Sequence, residues 1–213
     1  MIEKLSFGEP FIEAHYIENE ASVPAEGRCL VLNLDAEAGV TVEDQFSVPP
    51  LSAAVVRDAQ LAVPGKALLI CGFGLLDLND LLTLDSLRAA WKSNWELTHL
   101  EKNRGVPYYK SPVITRGGAE MNFCLVSEPD APSGIHRTHA KPVKELHVQI
   151  TGEGAVDLLR DEDPASVFAS LPLAAGTTHT ATWDRTGSYP WHRYRSVTRS
   201  VFLAVSIPGS FPG

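Results

Sequence analysis

The chain has 213 residues, 44% of them hydrophobic and 21% charged, which suits one generous domain or two small ones around a buried core. A formal net charge of −8 excludes the basic footprint that a nucleic-acid partner needs, and no basic run is long enough to form a membrane-surface patch. The opening MIEKLSFGEPFIEAHY has no apolar segment of signal-peptide or membrane-spanning length, and Cys29, Cys71 and Cys124 are widely spaced and in no CxxC pattern, so reduced, buried thiols in a cytoplasmic protein are expected.

Residues 1–105 begin with strand-like runs, RCLVLNL, LSAAVV and KALLIC, separated by Pro/Gly turns. The GxG in LLICGFGLLD follows an apolar run but lacks the third glycine of a dinucleotide fingerprint, so it predicts a turn. A helix is predicted over TLDSLRAAWKSNWELTHLEKNRG, where Leu84, Leu87, Trp91 and Trp95 form an apolar stripe that reads as core packing. Thr83 or Asp85 is its expected cap, and Gly105 with Pro107 its stop.

From residue 106 to 213 the pattern is strand after strand: EMNFCLVSE, KELHVQI, GAVDLL, ASVFASL, HTATW and RSVFLAVSI. Short strands punctuated by Gly, Pro, Asp and Ser predict an all-β sandwich or barrel, preceded by a strand-rich N-terminal segment over 1–105 that ends in a helix.

Five of the seven histidines fall between positions 136 and 192. If KELHVQI is a strand, its period of two sets Glu145, His147 and Gln149 on one face and Leu146, Val148 and Ile150 on the other. A polar face of that kind inside a barrel must be hydrogen-bonded or hold an ion. His139 precedes the strand and His179 follows the glycine turn of PLAAGTTH, so two imidazoles and one carboxylate are available to a divalent first-row metal. His147 is a candidate to line the pocket, relay a proton or orient a ligand, and Gln149 to support one. His136, at an odd offset from His139, is expected on the opposite face and not as a ligand. The stretch YPWHRYRSVTRS reads as a solvated hairpin, from which His192 or Arg193 could reach the mouth of a pocket.

The spacing His139, five residues, Glu145, six residues, Gly152, followed by Gly176-Thr-Thr-His179, resembles the two motifs of the cupin superfamily, with Lys141 where a second histidine is common. Within it, HRTH, Pro142, Glu145, Gln149 and Gly152 resemble the first metal motif of the 3-hydroxyanthranilate 3,4-dioxygenases. The resemblance implies a cupin jelly-roll (double-stranded β-helix) barrel over 106–213, with residues 1–105 either a degenerate second cupin half or a cover. It implies metal ligands His139, Glu145 and His179, and a substrate-carboxylate group at Arg137. Lys141, Gln149, His192 and Arg193 are further substrate-side or supporting candidates. The implied activity is Fe(II)-dependent ring cleavage of a small carboxylated aminophenol or catechol with O2, in a homodimer. Zinc, nickel or manganese as a Lewis acid in a lyase, cyclase or isomerase is the alternative, and a small-ligand-binding cupin without catalysis the third. The family's two CxxC pairs and its acidic and aromatic residues between the arginine and the first ligand are missing.

Overall fold

The structure is a computed structural model that describes residues 1–91, 108–137, 143–179 and 189–208. Its first sheet comprises β1 (Ile2–Leu5), β2 (Glu13–Asn33), β3 (Val40–Val42), β4 (Phe46–Val48) and β5 (Ala53–Cys71), in the order β1-β2-β5-β3-β4. LSAAVV and KALLIC fall at the two ends of the single strand β5, which runs antiparallel to the slightly longer β2. Both strands bend back on themselves, so that Leu30 faces Val55 and Ile70. The bend uses left-handed backbone at Asn19, Gly27 and Asp58, and the Gly27 amide donates to Asp58 Oδ1 (2.7 Å). Alternation then gives this sheet two apolar faces. Ile17, Val31, Leu61 and Leu69 form a core inside the fold-over, while Leu30, Leu32, Leu68 and Ile70 face the rest of the molecule.

The bend also brings Cys29 beside Cys71, with Cα atoms 4.5 Å apart, and the two form a disulfide. The expectation of three reduced thiols is therefore corrected. A separation of 42 residues hides a pairing that exists only because β2 folds over; Cys124 alone stays a buried free thiol.

The helix α1 (Leu81–Ala90) carries the expected stripe, with Leu84, Leu87 and the adjoining Trp91 buried. Its cap is Asp80, not Thr83 or Asp85: the Asp80 carboxylate accepts from the Leu82 and Thr83 amides and from the Thr83 hydroxyl. The Trp91 indole donates to the Glu9 carbonyl (2.8 Å) and its ring stacks near Phe123 (5.8 Å between centroids). The GFG turn is as expected: Gly72 takes a positive φ at the start of a 3-10 turn. Trp95, the Gly105–Pro107 stop and the 105/106 boundary lie outside the described residues. Among the described residues no helix is long and apolar enough to cross a membrane.

The C-terminal strands are β6 (Tyr108–Lys110), β7 (Ile114–Arg116), β8 (Ala119–Val126), β9 (Val143–Thr151), β10 (Gly154–Leu159), β11 (Val167–Leu173), β12 (Trp191–Ser196) and β13 (Ser200–Pro208). They make a β6-β8-β13-β9 sheet, with β7 pairing β8, and a β11-β10-β12 sheet, all antiparallel. Because β13 returns between β8 and β9, and β12 beside β10, chain neighbours are split between two sheets as in a jelly roll. Cys124, Val126 and Phe202 of one sheet meet Val156, Leu158 and Tyr194 of the other, which defines the barrel interior. The opposite face of the first of these two sheets, with Phe123, Leu146, Val148 and Leu203, packs on the N-terminal sheet. The fold is all-β, as the short, punctuated runs imply.

Candidate metal centre

Alternation along β9 does what KELHVQI predicts. Leu146, Val148 and Ile150 enter the inter-sheet core, while Glu145, His147 and Gln149 turn into the barrel. Opposite His147 on β13 stands Ala204, a small residue that leaves space above the sheet. Across the barrel, β12 alternates too: Tyr194 is inside, and His192 reaches Glu145.

Two loops add imidazoles. Residues 131–137 run beside β12, with the His136 amide donating to the His192 carbonyl (3.0 Å) and the His192 amide to the His136 carbonyl (2.9 Å), which sets their rings 4.2 Å apart. The 174–179 loop is held to β9 by Gly176 N–H donating to Gln149 O (2.8 Å) and Gln149 N–H to Thr177 O (2.9 Å). Gly176 sits at φ +90, a turn that any Cβ would strain, and the loop delivers His179 to His147.

The hydrogen bonds fix the imidazole protons by inference. His192 Nδ1 lies 2.9 Å from the Pro190 carbonyl and His136 Nδ1 3.1 Å from the Gly134 carbonyl. A carbonyl only accepts, so each Nδ1 donates, and a neutral ring then has a lone pair on Nε2. Those Nε2 atoms approach one carboxylate oxygen, Glu145 Oε2, at 3.0 Å from His192 and 4.0 Å from His136. His179 Nε2 accepts from the His147 backbone amide (3.2 Å), so the 2.9 Å contact from His147 Nδ1 is a donation and the His147 proton is on Nδ1. His147 Nε2 then faces Glu145 Oε1 at 3.8 Å. Three imidazole lone pairs thus converge on one carboxylate, an arrangement that requires a positive charge between them, either an added proton or a cation.

Electrostatics leaves Glu145 ionised and His147 neutral, the protonation states in which both are donors. Burial alone would raise the Glu145 carboxyl, yet the surrounding His147, His192 and His136 reverse that and hold it well below the usual carboxylate range. Burial pushes His147 down to about 3, with Glu145 opposing and the other histidines adding to the shift, so its ring is neutral at physiological pH. One atom each from His136, Glu145 and His192 lie within 4.8 Å of one another. Nitrogen and carboxylate donors at that separation suit a first-row divalent cation, and each ring's Nδ1–H on a protein acceptor is the support that metal-bound histidines ordinarily have. The residues present fit the metal that the motif implies.

The donors gathered around Glu145 among the described residues are not the set that the motif implies. His136 was expected on the wrong face, but the odd offset matters only within one strand, and His136 reaches Glu145 through its pairing with β12. The solvated hairpin is likewise corrected: His192 is 3% and Arg193 8% exposed. Arg193 faces away from His192 and, with Arg195, binds the buried Asp157 carboxylate (3.0 and 3.2 Å), which also takes the Ser170 hydroxyl (2.8 Å). Gln149 is a buried structural amide, accepting from the Tyr194 hydroxyl (3.0 Å) and donating to Thr151 O (2.9 Å). Arg137 is solvent-exposed. His139 and Lys141 lie outside the described residues. The Glu145 amide donates to the Tyr189 hydroxyl (2.9 Å), a residue that sequence reasoning missed and that no local pattern marks.

Beside the cluster lies a cavity of about 310 Å³, walled by Tyr108, Tyr194 and Phe202 and lined at other points by Lys110, Cys124 and Ser133. Tyr194 and Phe202 stack with centroids 4.0 Å apart. A space of this size lies at the small end of the range for small-molecule pockets.

No protein-family model matches the chain, and no curated protein matches it. Solved structures similar to it include cupin barrels. A Cupin 2 conserved barrel domain protein from Leptotrichia buccalis is 7% identical over 97% of this chain and 88% of its own, with a TM-score of 0.38. A Cupin 2 conserved barrel domain protein from Salinispora arenicola CNS-205 is 20% identical over 57% of this chain and 84% of its own, at 0.36. A recombinant oxalate oxidase in complex with glycolate is 22% identical over 45% and 44%, at 0.32. These likenesses are loose; strand order, register and the geometry around Glu145 describe this chain directly.

Proposed function

We propose that this protein is a metal-dependent cupin-type enzyme in which Glu145, His136, His192 and His147 hold one divalent cation, and that it is an Fe(II) dioxygenase cleaving a small aminophenol or catechol. The convergence of three Nε2 lone pairs on the Glu145 carboxylate carries the metal reading. The first motif, from His139 to Gly152, resembles that of ring-cleaving dioxygenases and carries the choice of reaction. Bound there, iron would supply a Lewis acid and a place for O2 beside the substrate.

The chain's own residues have definable tasks. His179 holds His147 in the tautomer that turns Nε2 to the site, and the Pro190 and Gly134 carbonyls do the same for His192 and His136. Tyr194 and Phe202 give an apolar wall that accepts a flat ring and keeps water out. The ligand set read from the motif, His139, Glu145 and His179, shares Glu145 with this one, so removing His192 and His179 separately distinguishes the two.

Anaerobic purification with metal analysis, followed by O2 uptake with 3-hydroxyanthranilate and simple catechols, tests the reading. Iron with substrate-dependent O2 consumption is expected. Bound zinc, nickel or manganese without O2 uptake would instead assign Lewis-acid chemistry, and a protein free of metal would leave a small-ligand-binding barrel.

A further inference from the structure

We propose that Cys71 is a thiol-exchange site, at which a small, positively charged thiol opens the Cys29–Cys71 bridge while the protein stays folded. The inference is independent of the metal reading.

The two sulfur-bearing residues are not equivalent. Cys29 is fully buried, whereas Cys71 is only partly buried and lines a surface groove of about 380 Å³ that Cys29 does not line. Which sulfur is attacked depends on access, so a thiolate entering the groove meets Cys71. The thiolate bonds to Cys71 Sγ, the bond between the two cysteines breaks, and its electron pair leaves on Cys29 Sγ, which takes a proton. An acceptor for that proton is in place, since Cys29 Sγ lies 3.2 Å from the Glu26 carbonyl oxygen. A second equivalent of the thiol then frees Cys71, and the two thiols are oxidised to their own disulfide as the bridge is reduced.

The fold can release this bond without coming apart. Leu30 to Asn33 pair with Ile70 to Ala67 in antiparallel register, which puts Cys29 opposite Cys71 at the end of that ladder. Their Cα separation of 4.5 Å is that of directly facing residues on paired strands. The bridge is therefore a terminal rung, and the backbone pairs from Leu30 to Asn33 hold the two strands together when it opens.

The groove also selects by charge. Glu13, His15 and Glu26 line it beside apolar Ile17 and Val23, and no lysine or arginine does. Lys4 pairs with Glu13 and offsets part of its charge, while Arg28 lies over the Phe73 ring, 5.2 Å from its centroid. A thiol that carries a cationic group is drawn to this rim, and an anionic one is repelled.

Cysteamine, 2-mercaptoethanol and 3-mercaptopropionate are the cationic, neutral and anionic probes. They are compared at equal thiolate concentration on the whole chain and on hydroxyethyl disulfide, which has no groove. Peptide mass spectrometry after an early acid quench should find the first adduct on Cys71, with native circular dichroism throughout. At low ionic strength cysteamine should outpace 3-mercaptopropionate by about five- to tenfold more than on the small disulfide, and salt should erase the margin. The margin should also shrink in Glu13→Gln/Glu26→Gln, two exposed positions whose substitution leaves the core untouched. Cys29→Ser should take up cystamine, the disulfide of cysteamine, and Cys71→Ser should not, which reads the accessibility of each sulfur without the bridge. A first adduct on Cys29, exchange that occurs only in urea, no charge preference beyond that of the small disulfide, or three free thiols in the folded chain overturns the inference.

Discussion

His179 Nε2 lies 2.9 Å from His147 Nδ1 and accepts a second hydrogen bond, at 3.2 Å, from the backbone amide of the same residue. This double acceptance makes His179 the group that turns the His147 ring toward Glu145. It also separates holding the metal from holding the residue that holds it. His179→Ala is therefore expected to weaken metal binding by about 10–100-fold without abolishing it, the usual cost of losing an outer partner. Glu145→Gln should abolish binding. Competition with a chelating dye reads both, and equal, complete loss in the two variants would make His179 a ligand as the motif implies.

Acid should destabilise the metal-free protein. The folded pKa of His147 is depressed by burial to about 3, so the unfolded chain takes up a proton near pH 6.5 that the folded chain refuses. Its contribution is fully present above the unfolded value and declines as pH falls; between pH 7.5 and 5 the loss is about 2 kcal/mol. Glu145, also depressed, loses its contribution at lower pH still, below the ordinary carboxylate range. Urea midpoints at the two pH values measure this, with His147→Gln as the control that should flatten the dependence. On the alkaline side burial raises Cys124, so stability present below the thiol's ordinary value is lost as pH climbs past it.

Reduction of the Cys29–Cys71 bridge, which closes a loop across 42 positions, should lower unfolding stability by about 3–4 kcal/mol. Chemical denaturation with and without reductant checks this, and a Cys29→Ala/Cys71→Ala chain should match the reduced protein. Metal binding at Glu145 should survive both treatments, because the bridge lies in the N-terminal sheet.

Truncation of Phe123 tests the packing between sheets. Its ring stacks on Phe7 (4.7 Å) and Trp91 (5.8 Å) at the centre of the shared core. Phe123→Ala should cost about 3–5 kcal/mol, read as a fall in thermal midpoint. A single transition that shifts as a whole would show that the N-terminal sheet and the barrel unfold together.

Features local in sequence were legible, and those made by pairing at a distance were not. KELHVQI shows its two faces because a period of two is a property of the strand itself, and the stripe of Leu84, Leu87 and Trp91 shows its helix for the same reason. The Asp80 cap was missed because several capping residues stand together and only geometry chooses among them. His136 and His192 were misplaced because each enters the site through a backbone bridge between positions 56 residues apart, which no spacing within either stretch records. Glu145 falls on the barrel face as the period of its strand predicts.

Metal content of the anaerobically purified chain beside its Glu145→Gln and His192→Ala variants tests the central claim most directly. A single divalent cation per chain in wild type, lost in Glu145→Gln and severely depleted in His192→Ala, is the expected result. An equal metal content in all three proteins, or none in any, would show that the histidines around Glu145 gather about a proton and not a cation.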